Sequence, residues 1–179
     1  MTQDNAVNFI DNILKNLLAK RRIDYYKKIS NVYSQRTRGS QPLGFESILS
    51  SFLFCDLYQI YSDNVFQEWP TENGKIDIRL ETTEANFMFE LKMYYSKDEG
   101  AYEKDFCKLY KELQIDSQAI AIHAQVQIYK NSNFPAHNYL KDKGKILSQD
   151  YEYWHHYSEI GQREDIHIAR LIFSKREIR

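Results

Sequence analysis

Cysteine is scarce in this chain of 179 residues: Cys55 and Cys107 are the whole complement. They show no paired spacing, so neither a disulfide framework nor a zinc site is suggested, and a reducing cytoplasm is the expected compartment. No uncharged apolar run reaches membrane-spanning length. The opening Met-Thr-Gln-Asp-Asn lacks the basic region and apolar core of a secretory signal. A soluble protein with no membrane partner is therefore expected. Gly-rich phosphate loops, a nucleophile elbow and zinc-finger spacing do not occur either. Charge of one sign is also lacking, since the formal net charge is −1, which argues neither for nor against a polyanionic partner.

Aromatic side chains are abundant, with 14 Tyr, 10 Phe and 2 Trp. Charge is distributed unevenly: residues 1–44 carry 8 Lys/Arg against 3 Asp/Glu, residues 45–100 carry 4 against 11, and residues 101–179 carry 12 against 11. A carboxylate-rich centre beside a basic arm suits a metal site acting on nucleic acid. Ordinary solvated surface would give the same counts.

Apolar residues at Val7, Ile10, Ile13, Leu14, Leu17 and Leu18 have the spacing of an amphipathic helix from Asp4 to about Lys20, capped by Asp4 or Asn5. A second helical pattern runs through Tyr25, Tyr26, Ile29, Val32 and Tyr33. Lys20, Arg21, Arg22, Lys27 and Lys28 lie around the junction and could grip phosphates beside stacking tyrosines. A helical hairpin with its lysines in water reads equally well. After Gly39, Pro42 and Gly44, the apolar face of Phe45, Ile48, Leu49, Phe52, Leu53, Leu57 and Ile60 predicts a buried helix from Phe45 to Tyr61. Glu46 falls in its first turn, where unpaired amides favour a carboxylate; it could equally point into a site.

A short strand over Val65 to Trp69, ended by Pro70, precedes the tight-turn signal Asn73-Gly74. Strands at 75–81 and 86–95 complete a three-stranded meander. Tyr102, Phe106, Leu109, Tyr110 and Leu113 mark another amphipathic helix, and Ala119 to Tyr129 alternates as a strand. In that strand His123, Gln125 and Gln127 share the polar face and read as sheet surface. A short helix is expected around Ala136 to Ile146, the aromatic cluster Tyr151 to Tyr157 finds no place, and Asp165 to Ser174 reads as a last strand covered on both faces. His155-His156 reads as surface or packing rather than as a ligand pair. The tail from Lys175 is expected to be loose.

The meander holds the chemistry. Because side chains alternate along a strand, Glu90 and Lys92 share one face while Phe89, Leu91 and Met93 point away. A hairpin lays Asp77, on the preceding strand, beside Glu90. Two carboxylates and an ammonium then converge, which suits a hard cation, a water and a phosphate under attack. A cross-strand salt-bridge ladder of Asp77, Arg79, Glu90 and Lys92 on a solvent face is the structural alternative.

This order of helix, meander, helix and strand, with Asp on the second strand and Glu-x-Lys on the third, resembles the PD-(D/E)XK nuclease superfamily. The resemblance covers residues 45–130, including Tyr-Glu-Lys-Asp-Phe-Cys-Lys-Leu at 102–109, which looks like the helix after the catalytic strand. It implies one α/β (α+β) domain over 1–179: a restriction endonuclease-like core with a mixed central sheet flanked by helices, a basic helical extension over 1–44 and an elaboration over 131–179. It further implies that Asp77 and Glu90 bind Mg²⁺ or Mn²⁺, with the Leu91 carbonyl and Glu46 as further ligands. Lys92 would orient the attacking water or stabilise charge on the phosphorane. Ile76 stands where the family motif has proline. The expected activity is endonucleolytic hydrolysis, of DNA before RNA, in restriction, defence or repair, by a homodimer. The competing functions are an RNA-cleaving nuclease with the same site and a catalytically inactive binding module, toxin-neutralising or regulatory.

Overall fold

A computed structural model describes residues 1–19, 22, 24–26, 28, 45–93, 99–128, 136–163 and 166–175. The chain is α+β, with one six-stranded mixed sheet between helices. In order, its elements are α1 (Gln3–Asn16), α2 (Phe45–Tyr61), β1 (Val65–Thr71), β2 (Gly74–Glu81), β3 (Asn86–Met93), α3 (Glu99–Ile115), β4 (Ala119–Ile128), α4 (Ala136–Gln149), β5 (Tyr153–Arg163) and β6 (Ile166–Lys175). The strands lie in the order β1-β2-β3-β4-β6-β5. Neighbours are antiparallel except β3 and β4, which are parallel and joined through α3. A parallel pair cannot be closed by a tight turn and needs such a crossover.

Two apolar layers sandwich the sheet. On one face, Ile10, Leu14, Leu49, Leu53 and Leu57 of α1 and α2 pack against Ile78, Leu80, Phe87, Phe89, Leu91, Ile120 and Ile122. On the other, Phe106, Leu109 and Leu113 of α3 and Leu140 and Leu147 of α4 cover Ile76, Met88, Ala121, Leu171 and Phe173. Covering both faces explains the continuous burial along β6, which alternation alone would not produce. Among the described residues no helix is long and apolar enough to cross a membrane.

Several expectations need correction. Thr2, not Asp4 or Asn5, caps α1, its hydroxyl accepting from Asn5 N at 3.3 Å. Pro70 lies inside β1, not after it; β1 is an edge strand, where a missing amide donor is tolerated. The helix after Ala136 is full length rather than short. The unplaced cluster at 151–157 contributes to an eleven-residue edge strand, β5. Lys175 belongs to β6, while residues 176–179 lie outside the described residues. So does most of the second helical pattern, together with Lys20, Arg21 and Lys27.

Candidate active site

Backbone pairing fails around Asp77. The β1–β2 register runs from Gln67↔Ile78 to Trp69↔Ile76 and skips Glu68, which sits at φ 50°. On the other side, β2–β3 pairing ends at Ile78↔Phe89. A non-glycine residue in the left-handed region is uncommon and costs about 1–3 kcal/mol, and such strain tends to gather where side chains are aimed for function. The opened ladder would orphan the Leu91 amide, but Asp77 Oδ2 accepts from it at 2.8 Å. That bond fixes the Asp77 carboxylate beside Glu90.

Glu90 and Lys92 lie on the α3 side of β3, opposite Phe89 and Leu91, because Phe89 and Leu91 pack with the α2 layer. Glu90 is 2% exposed. The Lys92 ammonium lies 3.2 Å from Glu46 Oε2 on α2 and 3.1 Å from Asp105 Oδ2 on α3. The Lys108 ammonium lies 2.5 Å from Glu90 Oε1 and 3.5 Å from Asp105 Oδ1, and donates to the Lys75 carbonyl at 2.6 Å. A chain of alternating charge results: Glu46, Lys92, Asp105, Lys108, Glu90. With Asp77, the described residues bring four carboxylates and two ammonium groups together here.

Titration reflects this crowding. Burial pushes Glu90 up to about 8, aided by the neighbouring Asp77 and opposed by Lys108. Asp77 is raised by burial against the lowering effect of the Leu91 amide. Burial pulls Lys92 down, but Asp105 and Glu46 outweigh it and leave the group raised, so its ammonium form is favoured. Comparison with family models, curated proteins and solved structures found no match.

The geometry thus brings Asp77, Glu90, Lys92 and Glu46 into one cluster. It does not support the solvent-face ladder: Arg79 turns to Glu81 at 2.9 Å and Asp116 at 3.1 Å, with its guanidinium over Trp69. Nor does Arg22 face outward as a phosphate grip. It is 7% exposed and forks onto Asp56 at 2.7 and 2.5 Å, with a further bond to Asn16 O. Lys28 is exposed.

Asp105 and Lys108 were not among the residues singled out from sequence. The available signal was the helical spacing of Asp105, Lys108 and Glu112, which share one face of α3. All three are engaged: Glu112 accepts from Asn73 Nδ2 at 3.1 Å. The expected sheet surface at His123, Gln125 and Gln127 is instead interior, at 0%, 0% and 2% exposure, because α3 and α4 cover that face. Among the described residues, both His123 ring nitrogens, both Gln125 side-chain heteroatoms and Gln127 Oε1 find no hydrogen-bond partner. Burial holds His123 down at about 4, so it is neutral near pH 7. His155 is half-buried and His156 exposed: His156 Nδ1 meets Arg170 Nη1 at 2.7 Å, and His155 Nε2 lies 3.2 Å from Ser148 Oγ.

Oxygen donors suit a hard divalent cation. Among the described residues, no group of three or more His, Cys, Asp or Glu side chains is drawn close enough to hold an ion as the side chains stand. Ammonium groups occupy the spaces between the carboxylates instead.

Proposed function

We propose that this protein is a Mg²⁺- or Mn²⁺-dependent endonuclease that hydrolyses DNA phosphodiester bonds on a restriction endonuclease-like core. The observation that carries the reading is the convergence of Asp77, Glu90 and Lys92 at the point where the β2–β3 ladder opens. The succession α2, antiparallel β1-β2-β3, α3 and parallel β4 supports the fold assignment. Asp77, Glu90 and the Leu91 carbonyl would hold the cation, with Glu46 behind them. The fit rests on donor chemistry: every donor is an oxygen.

A bound divalent cation supplies Lewis acidity toward water and phosphate. The side chains do the rest. Asp77 is fixed by the Leu91 amide through one oxygen, which leaves the other for a ligand. Lys92 keeps its proton between Asp105 and Glu46, so its role is to orient the attacking water and stabilise charge growing on the phosphorane, rather than to act as a base. Placement on strands, with Glu90 buried, limits reorganisation during attack. Lys28, with Lys20, Arg21 and Lys27 of the basic arm, would bind the phosphate backbone. One such site cuts one strand at a time, so a homodimer would serve duplex cleavage.

The test is incubation of plasmid, single-stranded DNA and RNA with the purified protein in Mg²⁺, Mn²⁺ or EDTA, beside Asp77→Ala and Lys92→Ala. Cleavage of DNA that needs metal and both residues is expected. Absence of cleavage, or equal cleavage by folded variants, would overturn the assignment, and cleavage of RNA alone would move the substrate class.

A further inference from the structure

We propose that Lys108 is a built-in counter-cation: its ammonium holds the Glu90 carboxylate that a divalent ion would need, and metal binding displaces it. The inference rests on the reading of the cluster as a metal centre. Lys108 Nζ is met by Glu90 Oε1 at 2.5 Å, the Lys75 carbonyl at 2.6 Å and Asp105 Oδ1 at 3.5 Å. Of these oxygens Glu90 Oε1 belongs to the ligands proposed for the metal, so the lysine and a hard cation compete for that carboxylate.

Burial makes the contact consequential. The Lys108 side chain is 11% exposed and that of Glu90 is 3% exposed, so solvent does not screen the pair as it would at a surface. Lys92 is engaged elsewhere, by Glu46 and Asp105, and the charge balance at Glu90 therefore falls to Lys108.

The two cations exclude each other. A Mg²⁺ ion sits at about 2.1 Å from its oxygen ligands, which would bring it close to an ammonium on the same carboxylate. Repulsion between charges of +2 and +1 at about 4 Å exceeds thermal energy many-fold even at an effective dielectric of about 20. The lysine has a flexible four-carbon stem on which to retreat. That stem runs beside Gly74, where an added Cβ would meet Lys108 Cδ at 3.8 Å. Lys108 thus compensates Glu90 whenever its carboxyl is ionised, at the cost of weakening metal binding.

The experiment is calorimetric titration of Mn²⁺ into wild type, Lys108→Met, Lys108→Gln, Lys108→Arg and, as a control on the exposed face of α4, Lys145→Met. Loss of the competing charge should tighten Mn²⁺ binding roughly tenfold in Lys108→Met and Lys108→Gln. Lys108→Arg should stay near wild type, and Lys145→Met should not differ from it. In EDTA at pH 9, Lys108→Met should lower the urea midpoint, and most of that loss should vanish when Glu90→Gln is added. Wild-type binding with equal or weaker binding by a folded neutral variant would overturn the role of Lys108 while leaving the metal centre standing. No Mn²⁺ binding to wild type would overturn the metal centre itself, and this inference with it.

Discussion

Glu90→Gln should make the metal-free protein more stable at high pH and leave it nearly unchanged at pH 5. The carboxyl is raised to about 8, first by burial and then by Asp77. In the unfolded chain it returns to the ordinary range near 4.5. Between those values the folded protein holds a proton that the unfolded chain has released, so stability falls as pH rises. What the neutral carboxyl contributes is fully present below about 4.5 and is lost as pH passes through about 8. Each pH unit across that window carries up to ~1.4 kcal/mol, and partial relaxation of the pocket leaves an expected gap of about 2–4 kcal/mol at pH 9. Urea unfolding of both proteins in EDTA at each pH unit from 5 to 9 measures it, and the difference between the curves cancels every other titrating group. A gap independent of pH, or a variant less stable than wild type at pH 9, would refute the buried, proton-retaining Glu90.

Arg22→Ala should cost about 2–4 kcal/mol by stranding Asp56. It should leave DNA affinity unchanged at a temperature where both proteins are folded; gel-shift titration separates the two effects, and a weakened complex would restore Arg22 as a phosphate contact. Asp77→Ala should cost about 1–2 kcal/mol because the Leu91 amide loses its acceptor. Asp77→Asn keeps an acceptor oxygen and should unfold within about 1 kcal/mol of wild type while losing cleavage; equal thermal shifts for both variants would remove the positioning bond. Gln125→Leu should stabilise the protein by about 1 kcal/mol, since both heteroatoms are buried without a partner, and destabilisation in urea would show that the amide is satisfied in solution.

Elements with clean periodicity were legible in the sequence. The α2 stripe through Leu49, Leu53 and Leu57 and the alternation of β2 and β4 needed no tertiary information. Strand β5 was not legible, because Tyr-Trp-His-His-Tyr at 153–157 lacks a clean apolar–polar alternation, and as an edge strand it is completed only by pairing with β6. Helix α4 was underestimated because Gly144 and four lysine and aspartate residues interrupt its apolar face. At the site, Asp77, Glu90 and Lys92 could be placed because strand geometry fixes which side chains share a face. Asp105 and Lys108 could not, since a carboxylate and a lysine three apart on a helix usually face water. Only the crossover of α3 onto β3 and β4 reveals that they do not. For the same reason His123 and Gln125 were assigned to the surface: nothing in β4 itself records what covers it.

The parallel pairing of β3 with β4 also sets an order of assembly. As the chain leaves the ribosome, the meander can form with Asp77, Glu90 and Lys92 in place before α3 exists. At that stage the Asp77 and Glu90 carboxylates repel each other without the Lys108 ammonium that compensates them in the finished fold. The crossover that lays α3 over the meander delivers Asp105 and Lys108 together, and closing that long loop is the slow kind of contact. The charged cluster is thus complete only once α3 is in place.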